Sequence, residues 1–194
     1  MDIETLNDFV TRQRAIRLID TSRDVDDSLI EQILEVGTHA PSGGNRQIYR
    51  FIVIRDPETK RRLAEIYDTL GAQRYGNPES RTTWAKMPVM IAACSIPGSG
   101  PAGAASNASR SATAASVLPA VQNMLLAITA LGLGSVLTTL WKEEEGTINK
   151  LLGLPDGAEV HAILPIGWPD RKYGRNHRKP IAEVTFRDRW ERAW

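Results

Sequence analysis

Residues Ser116 to Leu131 carry apolar side chains on most faces of a helix. A helix without a polar face has to be enclosed by other elements. The chain must therefore supply layers on more than one side of it. Pro119 is expected in the first turn of this helix or at a kink. Gly132 and Gly134 end it, and "SVLTTLW" beyond them reads as a strand.

The enclosing elements are legible on both sides. Ile3 to Ile19 has roughly helical apolar spacing, which places Arg14 and Arg17 on neighbouring positions of one helical face. Ser28 and Glu31 fit a capping box for a second helix with the stripe Leu29, Ile30, Ile33 and Leu34, ending near Gly37. Tyr49–Ile54 is rich in β-branched and aromatic residues and reads as a buried strand. Asp56 and Pro57 then start a helix with the stripe Leu63, Ile66, Tyr67 and Leu70. Pro88–Ser95 is the next strand. The Gly/Ala/Ser-rich "SIPGSGPAGAASNASRSA" reads as a mobile loop. A short helix is expected near Glu144–Leu152, then the strand "EVHAILPIGWP", a basic loop, and a last extended stretch "IAEVTF". One domain over residues 1–194 is expected, of α+β class (α/β/α layered), with helices covering a central mixed sheet.

Composition limits the function. The net charge of +1 balances 24 basic against 23 acidic residues, which argues against a nucleic-acid or membrane-surface protein. The apolar stretch Ala112–Leu133 is interrupted by Pro119, Gln122 and Asn123. No membrane span is expected, and with no signal-like N-terminus the chain reads as cytoplasmic. Cys94 is the single cysteine and reads as a small buried hydrophobe. His39, His161 and His177 are scattered, with no metal-ligand spacing. Nucleophile elbow, phosphate-loop lysine and dinucleotide fingerprint are all absent. No side chain announces a catalytic acid, base or nucleophile.

Three local features remain. Arg14 and Arg17 offer two guanidinium forks to a phosphate, or form a solvated helix face. The loop "PSGGNRQ" gives glycine backbone for close approach, and Asn45 and Gln47 each offer a donor and an acceptor to an imide edge. An ordinary helix-to-strand turn is the other reading. "RKYGRNHRKP" holds five Arg or Lys among ten residues, as an anion site or a solvated loop. An RNA-binding patch is disfavoured, because only Tyr173 is nearby for base stacking.

The order of these pieces resembles the FMN-dependent nitroreductase family. "RAIR", "APSGGNRQIYRFIVIRDP", "AVQNMLLAITALGLGSVLTTLW" and "LPIGWPD…RNHRKPIAEV" carry the resemblance, from about Arg14 to Glu183. It implies a homodimer with FMN at the subunit interface. Arg14 and Arg17, with Ala15 between them, match the stretch meeting the ribityl chain, phosphate and pyrimidine end. Pro41, Ser42, Gly43 and Asn45 match the loop that reaches the partner's cofactor, and Gln47 adds its amide. Thr138, Thr139 and Leu140 match the strand end beside the isoalloxazine, where a backbone N–H faces flavin N5. Asn176 and Arg178 match the pair at the phosphate. Ala15 stands where the family often has serine, a loss of about 0.5–1.5 kcal/mol for one neutral hydrogen bond.

The implied activity is ping-pong oxidoreduction, from NADH or NADPH through the flavin to a nitroaromatic, quinone or enone acceptor. Arg17 is expected to stabilise the reduced ring, and Gly98–Ser109 to act as a lid. The alternatives are a related flavin enzyme (ene-reductase, dehalogenase, flavin-cleaving) and a non-enzymatic flavin-binding or regulatory protein. Trp190 and Trp194 either anchor on a partner subunit or fold back on their own chain.

Overall fold

In a computed structural model, residues 1–75, 84–96 and 107–194 are described. The described residues group into two compact units. A core unit spans Ala15–Lys172, and a terminal unit joins Met1–Arg14 with Tyr173–Trp194.

The core unit holds a sheet of β1 (Ile19–Asp20), β2 (Tyr49–Ile54), β3 (Val89–Ser95), β4 (Gly134–Ser135) and β5 (Glu159–Pro169). Its order is β1-β5-β3-β2, with β4 also on β5. Helices α2 (Asp27–Thr38), α3 (Pro57–Tyr75), α4 (Asn107–Ala130) and α5 (Glu145–Leu151) cover it; α1 (Ile3–Arg12) belongs to the terminal unit. The helix-covered sheet is as anticipated. Among the described residues every strand pair is antiparallel, where a mixed sheet was expected. Strands β2 and β3 are neighbours in the sheet and pair antiparallel from Tyr49↔Ser95 to Ile54↔Met90.

Strand β3 is buried along its whole length. Val89, Ile91 and Ala93 join Ile30, Ile33, Val117, Val121, Met124 and Ile128 on the face under α2 and α4. Met90, Ala92 and Cys94 join Leu63, Tyr67, Trp84, Trp141 and Ile148 on the face under α3 and α5. This is the layered arrangement that an all-round apolar helix demands. Each fully buried large side chain contributes about 1.5–3 kcal/mol.

Several local expectations are corrected. Helix α4 begins at Asn107, so residues 107–112, expected in a loop, are helical. Pro119 lies inside α4 and not in its first turn, where core packing offsets the missing N–H. The segment Ser111–Ala130 has the length and composition to cross a membrane, with a hydropathy of 1.4. Val117, Val121, Met124, Leu125 and Ile128 of this segment are buried in the core that includes β3, while Leu118 is exposed. Helix α2 is capped by Asp26, which accepts from Ser28 N, and not by the Ser28/Glu31 box. Residues 135–141 form strand only at Ser135, with a bridge at Thr138, and Leu140 starts a 3-10 turn. "IAEVTF" is a 3-10 turn at Ile181–Glu183 followed by irregular chain, with a single antiparallel bridge from Phe186 to Ala193. Residues 98–106 of the expected lid lie outside the described residues, and 107–109 belong to α4.

Helix α1 stops at Arg12 because Gln13 is extended, with φ −69° and ψ 125°. Arg14 and Arg17 therefore do not share a helical face. The Ile16 N–H donates to Ser135 O at 2.8 Å, so this segment lies along β4. The approach requires glycine there, since a Cβ on Gly134 would fall 2.7 Å from Ile16 Cγ2.

The β3–β5 register shifts between Ala93 and Cys94, whose partners are Ala162 and Val160, leaving His161 as the extra residue of a bulge. Its Nε2 lies 3.0 Å from Ser95 Oγ in a buried site. Burial, with Lys142 adding repulsion, pushes the imidazole down from 6.5 to about 4. The thiol of Cys94 is pushed up to about 12 by burial alone.

Gly134→Ala is expected to destabilise the protein by about 1–3 kcal/mol, the cost of overpacking. It would be read as a lower denaturant midpoint at unchanged slope. His161 is neutral when folded and binds a proton more readily when unfolded. Its contribution is present above pH 6.5 and is lost as the pH falls towards about 4. Melting temperature should fall less steeply over that window in a His161→Gln variant than in the parent protein.

Candidate active site

In the core unit, the loop between α2 and β2 is fixed from both ends. Tyr49 Oη donates to Thr38 O at 2.6 Å, and Asn123 Nδ2 to Val36 O at 3.3 Å. These bonds satisfy carbonyls left open at the C-terminal end of α2. After Pro41, Ser42 is extended and Gly43–Asn45 form a 3-10 turn. Ser42 accepts twice, at its carbonyl from Asn45 N at 2.9 Å and at Oγ from Gln47 N at 2.9 Å. Gly43 N donates to Ser116 Oγ of α4 at 3.1 Å, and Arg46 Nε to Gly43 O at 3.1 Å.

The turn drives Gly44, Asn45 and Gln47 to φ of 60°, 53° and 49°. Glycine adopts that region freely and asparagine tolerates it. Glutamine does not, and holds it at a cost of about 1–2 kcal/mol. Strain of this kind collects at functional loops. The Asn45 carboxamide has no hydrogen-bond partner among the described residues and is exposed. Beside the loop a surface cavity of 510 Å³ is floored by Tyr49 and Phe51, whose rings stack at 5.6 Å, and rimmed by Arg46 and Arg50.

Also in the core unit, Ala15 and Arg17 are exposed, and Arg17 has no acidic partner among the described residues. Thr138 is held by Ile163 through Thr138 N to Ile163 O at 3.2 Å and Oγ1 to the same carbonyl at 2.8 Å. Thr139 is exposed, and its N–H has no acceptor among the described residues. Its carbonyl accepts from Lys142 N at 3.1 Å, which starts the 3-10 turn at Leu140.

In the terminal unit, Asn176 closes α1. Its N–H donates to Thr11 O at 2.7 Å, and its Nδ2 to Val10 O at 3.2 Å and Gln13 O at 2.9 Å. That side-chain donor is therefore spent on helix carbonyls. Arg14 is half-buried, with one N–H on Gly174 O at 3.2 Å and its guanidinium 5.6 Å from the Tyr173 ring. Asp8 pairs with Arg12 and Arg175. Arg178 is exposed and donates to its neighbour's carbonyl, His177 O, at 2.8 Å. No group of His, Cys, Asp and Glu among the described residues has the makings of a metal site.

The family model for the nitroreductases matches residues 10–168. The chain belongs to the nitroreductase family. It is 32% identical over 168 residues to a candidate NADH dehydrogenase/NAD(P)H nitroreductase of Archaeoglobus fulgidus, covering 86% of each chain. It is 29% identical to the iodotyrosine deiodinase of Thermotoga neapolitana, covering 90% of this chain and 95% of that one. A crystal structure of oxidised iodotyrosine deiodinase with FMN and 3-iodo-L-tyrosine superposes with a TM-score of 0.71 at 26% identity, covering 90% and 97%. The chain is thus an oxidoreductase of this family.

Sequence patterning assigned Ser116, Arg46, Arg50 and Tyr67 no part in a candidate site. Ser116 lies 73 residues from the glycine it holds, and nothing in the local pattern signals that pairing. Gln47→Gly should relieve the left-handed strain and raise stability by about 1 kcal/mol. A rise in denaturant midpoint would show it, whereas Gln47→Val should lower that midpoint.

Proposed function

We propose that the chain is an FMN-dependent NAD(P)H oxidoreductase acting as a homodimer. The observation that carries this is the Ser42–Gln47 loop, which holds three residues at positive φ while leaving the Asn45 amide open. A connection alone has no need of that geometry, whereas a close approach to a ligand does. Relatives support the cofactor, since the deiodinase structure is described with FMN bound.

The residues present fit that group chemically. Arg17 in the core unit, and Arg14 and Arg178 in the terminal unit, have guanidinium donors with no acidic partner among the described residues. They suit a phosphate or the negative charge of a reduced ring. Asn45 and Gln47 suit an imide edge, and the Thr139 N–H suits a ring nitrogen. Pro41, Ser42 and Gly43 shape the approach, Ala15 leaves room beside Arg17, and Leu140 follows Thr139 into the turn. Asn176 acts through α1, by fixing the chain just before Arg14. When bound, FMN supplies the two-electron carrier between NADH or NADPH and a nitroaromatic, quinone or enone acceptor.

For the homodimer, the support lies in the terminal unit. Helix α1 has no buried residue, and Ile3, Leu6 and Val10 form an exposed stripe. Trp190 and Trp194 are 80% and 70% exposed. Apolar surface of this kind is suited to a second copy. A reductive dehalogenase is the second reading, favoured by the deiodinase relative.

A yellow purified protein that bleaches with NADH or NADPH without oxygen is the expected result. A colourless protein that refuses added FMN would overturn the reading. Release of iodide from an iodophenol during turnover would favour the dehalogenase. Arg17→Ala should weaken FMN binding by about 10- to 100-fold, the range for hydrogen bonds to a charged group. Trp190→Ala with Trp194→Ala should move the sedimenting species from dimer towards monomer.

A further inference from the structure

We propose that Tyr67, on α3, is a positioning residue that sets the aim of the Thr139 N–H; this rests on the FMN reading above. Tyr67 is fully buried, with its ring stacked on Trp84 at 4.0 Å. Leucine or phenylalanine would satisfy that packing. A buried phenol hydroxyl instead needs a partner, and it has one in Thr138 Oγ1 at 2.6 Å.

The direction of that bond follows from its neighbours. Thr138 Oγ1 gives its only proton to Ile163 O at 2.8 Å, so the Tyr67 hydroxyl donates to Thr138. Thr138 is bound on other sides too. Its N–H reaches Ile163 O at 3.2 Å, and its carbonyl accepts from Ile163 N at 3.4 Å and Trp141 Nε1 at 3.1 Å. Strand β5 thus pins its backbone, the turn after it pins its carbonyl, and α3 reaches its side chain.

The next residue is where this matters. Thr139 is exposed and its N–H has no acceptor among the described residues, so no bond of its own aims it. Its orientation is inherited from Thr138. A donor held in place before a ligand arrives loses less freedom on binding and keeps its direction as charge develops. The Tyr67 hydroxyl adds to that hold beside the Trp141 indole N–H, and it is supplied from a helix 71 residues earlier in the chain.

The test uses the full-length protein and two variants, Tyr67→Phe and Thr138→Val. Tyr67→Phe keeps the ring and removes the hydroxyl that donates to Thr138. FMN affinity should fall about three- to tenfold in each variant, the range of one neutral hydrogen bond. The double variant should bind no more weakly than Thr138→Val, because that substitution already removes the acceptor of the Tyr67 hydroxyl. In the flavin-free protein, amide exchange at residues 138–142 should quicken in Tyr67→Phe while that of β5 holds. Unchanged affinity and unchanged exchange at 138–142, beside a parent protein that does bind FMN, would overturn the role of Tyr67 alone. A lower melting temperature with those two readouts unmoved would overturn it equally, since Tyr67 would then only pack. A parent protein that fails to bind FMN would overturn the cofactor reading and this inference with it.

Discussion

The structure depends on the antiparallel pairing of β3 with β5, buried on both faces. Each strand sends alternate side chains to opposite layers, so the pair belongs to two cores at once. The α2/α4 layer closes over Ile91 and Leu164, and the α3/α5 layer over Met90 and Ile163. Because backbone groups in such a strand have no access to water, they must be satisfied within the ladder. That requirement makes the pairing hard to shift and gives the loops a rigid frame.

The candidate site elements are carried at the edges of this frame. The Ser42–Gln47 loop leaves α2 and enters β2, so it is held between a helix end and a strand start. The Thr138–Leu140 turn hangs on Ile163 in the middle of β5. Both are exposed, yet both are tied down by groups from elsewhere in the core unit, Ser116 in one case and Tyr67 in the other. Strain at Gln47 is sustained because these bonds over-determine the loop. Exposed chain of this kind keeps its shape only when buried side chains hold it.

Much of this was legible in advance. Strand β2 was placed at its observed bounds because a short β-branched and aromatic run between helix signals has few other uses. The start of α3 was legible from Asp56 and Pro57, and Asp56 does accept from Thr59 N at 2.7 Å. The last strand was bounded as observed, although its bulge at His161 was not visible. The turn in the glycine loop was legible because glycine pairs and short amides have a narrow range of uses. Arg14 and Arg17 were found as residues but placed on the wrong element. Helical spacing in Ile3–Ile19 continued past the point where Gly134 allowed Ile16 to lie against β4.

By itself, the sequence determined the layer plan, the family and the residue types available to an anion and a flat ring. Those properties follow from side-chain periodicity and local backbone preference, which act over a few residues and can be read along the chain. Tertiary structure alone decided where α1 stops, how far α4 extends, and which buried hydroxyls hold the loops. Each of these turns on a contact between residues tens of positions apart. Its free energy exists only once both partners are in place, so no local pattern records it.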